Sequence, residues 1–109
     1  MYLPAHDESA WVGVLRLGLV VPGARSLKDK RRGLAAVRDR VRARHGFSVA
    51  EVGHLEDTLR GVLLVATVGN EPRLLRSVLD GLAHEIEGWG QVVVESRHVE
   101  VQPAFDASR

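Results

Sequence analysis

From Trp11 to Val21 both alternating sets of residues are largely apolar, broken by one charge at Arg16. Period-two alternation puts Trp11, Leu15, Leu17, Leu19 and Val21 on one face, and Val12, Val14, Arg16 and Val20 on the other. Such a strand needs at least one buried face, and Pro22 and Gly23 stop it. Ser26 then offers an N-cap oxygen to the orphan amides of a helix. Leu27, Leu34, Val37 and Val41 fall on one narrow helical stripe, and Gly46 suits the stop, so a helix is predicted over Leu27 to about His45. Phe47–Val52 alternates and reads as a second strand, and Gly53–Thr58 as a polar connection. Leu59–Val68 is almost continuously apolar and reads as a central strand.

Asn70 is placed to cap a second helix with Pro72 in its first turn. Its expected stripe is Leu74, Leu75, Val78, Leu79, Leu82 and Ile86, and Gly88 and Gly90 end it. Gln91–Gln102 completes the pattern as a fourth strand, with Val93, Val99 and Val101 on one side and Val92, Val94 and His98 on the other. The order is β-α-β-β-α-β. With right-handed crossovers its simplest solution is α+β: a ferredoxin-like sandwich, a four-stranded antiparallel sheet with two helices on one face. One domain over residues 11–102 is expected, with loose tails at 1–10 and 103–109. The face away from the helices should show Val, Leu and Trp side chains. An exposed apolar face of this kind predicts a homodimer formed through the sheet surface or an edge strand.

Several chemistries are excluded by composition. The chain has no cysteine, so disulfides, thiol catalysis and cysteine zinc sites are absent. Its apolar runs are shorter than the ~20 residues of a membrane helix, and Asp7 and Glu8 sit where a signal peptide would be basic then apolar. A cytoplasmic protein with no membrane partner is expected. The histidines are scattered. His54, Glu56 and Asp57 are the nearest approach to a metal or acid–base cluster, without ligand spacing, so no metal or cofactor is expected.

Charge is where the sequence is most uneven. Arg25–His45 holds nine Lys/Arg and two acids, a net +7, while the other residues hold six Lys/Arg against twelve acids, a net −6. The turn into the first helix carries Arg25, Ser26 and Lys28, and helix N-terminal amides beside such cations suit an anion. The Walker spacing is absent. Lys30 falls inside the apolar stripe, where its stem is expected to lie over the core edge with the ammonium in water. Lys28, Arg31, Ala35, Arg38 and Arg42 form a ridge about 21 Å long, able to lie along several phosphates, and Arg32 extends the cationic surface. Aromatics are too few, and absent from the third strand, for base stacking of the RRM kind. A turn arginine and an asparagine after a strand, Arg25 and Asn70, invite comparison with acylphosphatase chemistry, but that family's loop pattern and aromatic neighbour are missing.

Val12-Gly13-Val14-Leu15-Arg16-Leu17, then Pro22-Gly23-Ala24-Arg25-Ser26-Leu27-Lys28-Asp29-Lys30-Arg31-Arg32, then Ser48-Val49-Ala50-Glu51-Val52 resemble the small bacterial YlxP-like family, catalogued as domain of unknown function 503. The resemblance runs from about Trp11 to Val101. It implies a ferredoxin-like fold, no established enzymatic activity, and a ribosome or RNA connection through neighbouring genes for translation factors. The motif positions it carries over are Ser26, Leu27, Lys28, Lys30, Arg31, Arg32 and Glu51. The family pattern has an aromatic where this chain has Thr58.

The expectation is therefore a non-enzymatic accessory protein contacting structured RNA or a ribosomal subunit. Its contacts would be Arg25, Ser26, Lys28, Lys30, Arg31, Arg32, Arg38 and Arg42. The alternatives are a homo-oligomeric protein-interaction module and an enzyme acting on an anionic substrate.

Overall fold

Six elements follow one another in the computed structural model, which describes residues 2–105: β1 (Trp11–Val20), α1 (Leu27–His45), β2 (Ser48–Gly53), β3 (Arg60–Gly69), α2 (Pro72–Gly88) and β4 (Val93–Pro103). The strands lie in the order β2-β3-β1-β4, every neighbouring pair antiparallel. This is the ferredoxin-like arrangement, with β1 and β3 central and both helices on one face. α1 lies over β2 and β3, and α2 over β1 and β4. Leu15, Leu17 and Leu19 of β1 are buried beneath them with Leu34, Val37 and Val41 of α1 and Leu79, Leu82 and Ile86 of α2. Each such side chain contributes about 1.5–3 kcal/mol by leaving water.

The helices approach closely because the sheet carries glycine under each of them. A Cβ on Gly61 of β3 would stand 2.5 Å from Leu34 Cδ1, and one on Gly13 of β1 2.8 Å from Leu79 Cδ1. Gly46 ends α1 at φ 70°, and its amide donates to the Arg42 carbonyl at 2.9 Å.

Four expectations about faces and caps change. In β4, Gly18 pairs with Ser96 but Leu19 with Val94, so Glu95 is a bulge residue. A bulge inverts the alternation beyond it. Val92 and Val94 therefore share the core side with Val99, and Val93 turns outward on the side of His98, not with Val99 and Val101. In α2, Glu71 and not Asn70 is the N-cap, its carboxylate accepting from the Arg73 amide at 3.2 Å. Leu74 and Val78 are exposed rather than part of the buried stripe. They continue the flank on which Glu85 meets Arg44 and His45, and α1 ends at His45 without reaching them. The tryptophans are not on the open face either: Trp11 lies on the β1 set that faces the helices, and Trp89 caps α2.

At the termini, the Ala104 amide donates to the Ala10 carbonyl at 2.8 Å, and the Tyr2 ring meets Phe105 at 4.8 Å. Residues 106–109 of the expected C-terminal tail lie outside the described residues.

Gly61→Val should displace Leu34 and lift α1 from β3, at a cost of about 1–3 kcal/mol. Urea unfolding measures it. Wild-type stability in the variant would mean that α1 does not seat on Gly61.

Candidate functional site

The turn into α1 is closed by its own side chains. Ser26 is extended (φ −150°, ψ 164°), and its Oγ accepts from the Asp29 amide at 3.1 Å. Asp29 Oδ2 in turn accepts from the Arg25 amide at 3.1 Å. The turn is thus held by its own cap, with the Asp29 carboxylate beside it. The Ser26 hydroxyl is used in the cap, and an incoming anion would meet the Asp29 carboxylate at the positive end of the helix.

Lys30 departs furthest from expectation. Its side chain is 0% exposed. Nζ donates to the His54 carbonyl at 2.7 Å and lies 3.2 Å from Glu51 Oε2. The ammonium does not reach water, and Lys30 is removed from the set of residues able to touch RNA. Burying an ammonium is tolerated only with an opposite charge and hydrogen bonds at hand. β2 supplies the charge, because Glu51 follows Val49 by two residues and turns to the same face, opposite Leu63 of β3. The loop supplies the carbonyl. His54 holds φ 55°, the left-handed region, and that backbone accompanies the carbonyl's approach to Nζ.

The same connection is tied at its far end. Asp57 Oδ1 accepts from the amides of Leu59 (2.7 Å) and Arg60 (2.9 Å). These backbone bonds, Arg60's first, hold the Asp57 carboxyl below the ordinary range. His54 and Asp57 thus act through backbone geometry. Among the described residues no group of three His, Cys, Asp or Glu is placed to hold a metal ion.

The remaining cations of the basic segment divide into two sets. Arg38 pairs with its neighbour Asp39 at 3.0 Å, an exposed contact worth little. Arg42 Nη2 donates to the Val49 carbonyl at 2.8 Å, reaching over β2. Arg44 pairs with Glu85 at 3.1 Å, and Arg40 lies 4.2 Å from the centre of the Trp89 ring. The second set is Arg25, Lys28, Arg31 and Arg32, all exposed. Among the described residues no hydrogen bond or ion pair engages the side chains of these four. They lie in the turn and first two turns of α1, so the cationic surface is denser and shorter than the ridge expected through Arg38 and Arg42.

Arg25 and Asn70 are not brought together. Arg25 follows β1 at the end paired with Arg60, and Asn70 follows β3 at the end paired with Trp11. About 30 Å of strand separates them. Sequence reasoning missed the Glu51 partner and the roles of Arg40 and Arg42. The position of Lys30 within the apolar stripe was a usable signal for a buried pair. Arg42 carried no comparable signal, because a reach across to another strand leaves no mark on helical spacing.

The fold and this surface define a small ferredoxin-like α+β domain with one basic helix end. Residues 12–99 match the family model described as "Protein of unknown function (DUF503)", and the chain belongs to that family. No match was found among curated proteins. A solved structure, Rv0793 from Mycobacterium tuberculosis, is similar at 20% identity over 93% of this chain and 100% of that chain, with a TM-score of 0.43.

Lys30→Met leaves Glu51 without its cation. The expected cost is about 2–3 kcal/mol, below that of a wholly buried pair because the Glu51 side chain keeps 21% exposure. Lys30→Met combined with Glu51→Gln should recover at least half of the loss in urea unfolding. Equal losses in the single and double variants would show that charge pairing is not the source. His54→Gly keeps the carbonyl and relieves the left-handed strain, so its stability should stay within about 0.5 kcal/mol of wild type. A larger loss would assign a role to the imidazole.

Proposed function

We propose that this chain is a non-enzymatic accessory protein that contacts structured RNA, with a ribosomal subunit or its precursor as the setting. The contact surface is the turn and N-terminal half of α1. The observation that carries this reading is the set of four exposed cations, Arg25, Lys28, Arg31 and Arg32, with no partner side chain among the described residues. Bases at a helix start oppose the helix dipole, so their presence favours a task outside the helix. The residues outside Arg25–His45 carry a net −6, which keeps a polyanion off the other surfaces and directs it to this one. Arg38 and Arg42, each with one donor engaged, flank the contact.

Contact goes to phosphates and shape. The central strand β3 presents Leu64 and Ala66 on its open side, which offer no stacking surface for a base. A cytoplasmic location accords with an RNA partner. No described helix is long and apolar enough to cross a membrane.

Replacing Arg25, Lys28, Arg31 and Arg32 together by Gln should leave stability nearly unchanged, since Gln is a good helix former. Affinity for ribosomal subunits should fall at every salt concentration. The slope of log affinity against log salt should flatten by up to about four units. Arg40→Gln with Arg44→Gln should change the slope by less than about one unit, because those side chains are engaged with Trp89 and Glu85. The reading fails if wild-type protein has no affinity for ribosomal RNA or subunits at low salt, or if the quadruple variant binds equally well.

A further inference from the structure

We propose that the open face of the sheet is covered by a second copy of this chain, stacked face to face. The face is apolar toward the end where Trp11 pairs with Gly69, while Arg16 stands at its middle. Val12 and Val14 of β1 stand beside Val68 and Ala66 of β3, next to Leu64, and Val68 is 73% exposed. Val93 of β4, turned outward by the bulge, is 52% exposed. A contiguous apolar surface of this kind on a small domain marks an interface.

The sheet offers no equivalent invitation at its edges. Arg42 from α1 donates to the Val49 carbonyl of edge strand β2 at 2.8 Å. Arg76 from α2 donates to the Val99 carbonyl of edge strand β4 at 3.4 Å. Each helix thus covers one edge acceptor with a guanidinium, and β4 is further lined with Glu95, Arg97, His98 and Glu100. Charged, covered edges resist strand addition. Pairing through an edge strand is disfavoured, and the face remains.

Charge does not oppose a second copy. The face holds Arg16 and Arg60 against Glu95 and Glu100, a neutral set. Arg60 already pairs with Glu95 at 3.1 Å, and His98 lies 3.3 Å from Glu100. A neutral face has no electrostatic preference for a polyanion or a basic partner, and it meets its own copy without net repulsion. Arg16 lies flat across Gly18, its Nη1 donating to Ser96 Oγ at 3.2 Å. Size agrees as well. Four strands at ~4.8 Å spacing and about ten residues at ~3.3 Å give a face of roughly 600 Å². Two apposed faces would bury on the order of 1,200 Å², the lower end of what a specific interface needs, so a micromolar dimer is expected. The symmetry is isologous, the same patch on both copies. The α1 helices then lie on opposite outer sides, roughly 30 Å apart, so the dimer would bridge two RNA segments, a consequence that rests on the RNA reading.

Sedimentation of the full chain without RNA tests the dimer independently of that reading. A monomer–dimer equilibrium is expected between about 1 and 200 μM. Leu64→Lys and Ala66→Lys should each give monomers with an unchanged circular dichroism spectrum, whereas Arg73→Glu on the exposed side of α2 should still dimerise. Since a lysine at the sheet centre can also unfold the chain, a second measurement uses the absence of cysteine. Nitroxide labels at Arg16→Cys should lie within about 25 Å of each other across the dimer, and labels at Lys28→Cys beyond about 40 Å. A monomer at the highest concentration overturns the proposal. So does a dimer in which the Lys28 labels are the closer pair, which would put the interface on the helical side.

Discussion

The ammonium of Lys30 has no route to water, and the N-terminal half of α1 is organised by that fact. Its two partners come from different parts of the chain, the Glu51 carboxylate from β2 and the His54 carbonyl from the connection to β3. Satisfying the ammonium therefore brings the helix start, the edge strand and the loop to one point. Leu34 one turn later sits on Gly61, so the helix is held by a polar contact and an apolar one side by side. A buried ion pair adds little net stability compared with a well-packed apolar pair. It does penalise any arrangement in which one charge loses the other. A shift of β2 by one residue would turn Glu51 to the open face and strand the lysine, so the pair favours a single register.

That anchoring explains why the cations of one helix do different work. Arg42, three turns beyond Lys30, reaches the β2 edge, and Arg44 and Arg40 meet Glu85 and Trp89 of the second helix. The residues before and around the buried lysine project into solvent with no internal partner among the described residues. The fold thus separates a single run of basic residues into struts at the C-terminal half of α1 and a free cationic surface at its start. The same economy recurs on α2, where Arg76 covers the β4 edge as Arg42 covers β2. One guanidinium group thus stands over a carbonyl of each edge strand.

Much of this was legible in the residues. The period of the apolar positions located both helices and all four strands, and Ser26 and Gly46 marked the ends of α1 as its caps. The inward set of β1 followed from simple alternation, because that strand holds its register through most of its length. The faces of β4 did not follow, because one bulge residue inverts the alternation and nothing about Glu95 announces it. The second helix is less buried than its spacing predicts. Leu74 and Val78 have the right spacing, but burial also needs a neighbour, and α1 stops short of them. In the candidate site, spacing alone identified the basic helix, whereas the distinction between engaged and free cations required the acceptors Val49, Glu85 and His54, which lie on other elements.

The residues alone settle what is local: which segments are strands and helices, their order, and the concentration of positive charge in one segment. These follow from periodicity, capping and composition, all of which act over a few residues. With short right-handed connections, the order of elements then admits the ferredoxin-like sheet as its simplest closure. Which polar groups meet is settled by packing. Glu51 lies 21 positions from Lys30 in the chain, and Arg42 reaches a strand it precedes. Such contacts depend on the twist and register of the sheet and on where each helix ends, and no short stretch of residues encodes them. The separation of the basic segment into buried, bridging and free charges is therefore a property of the packed molecule.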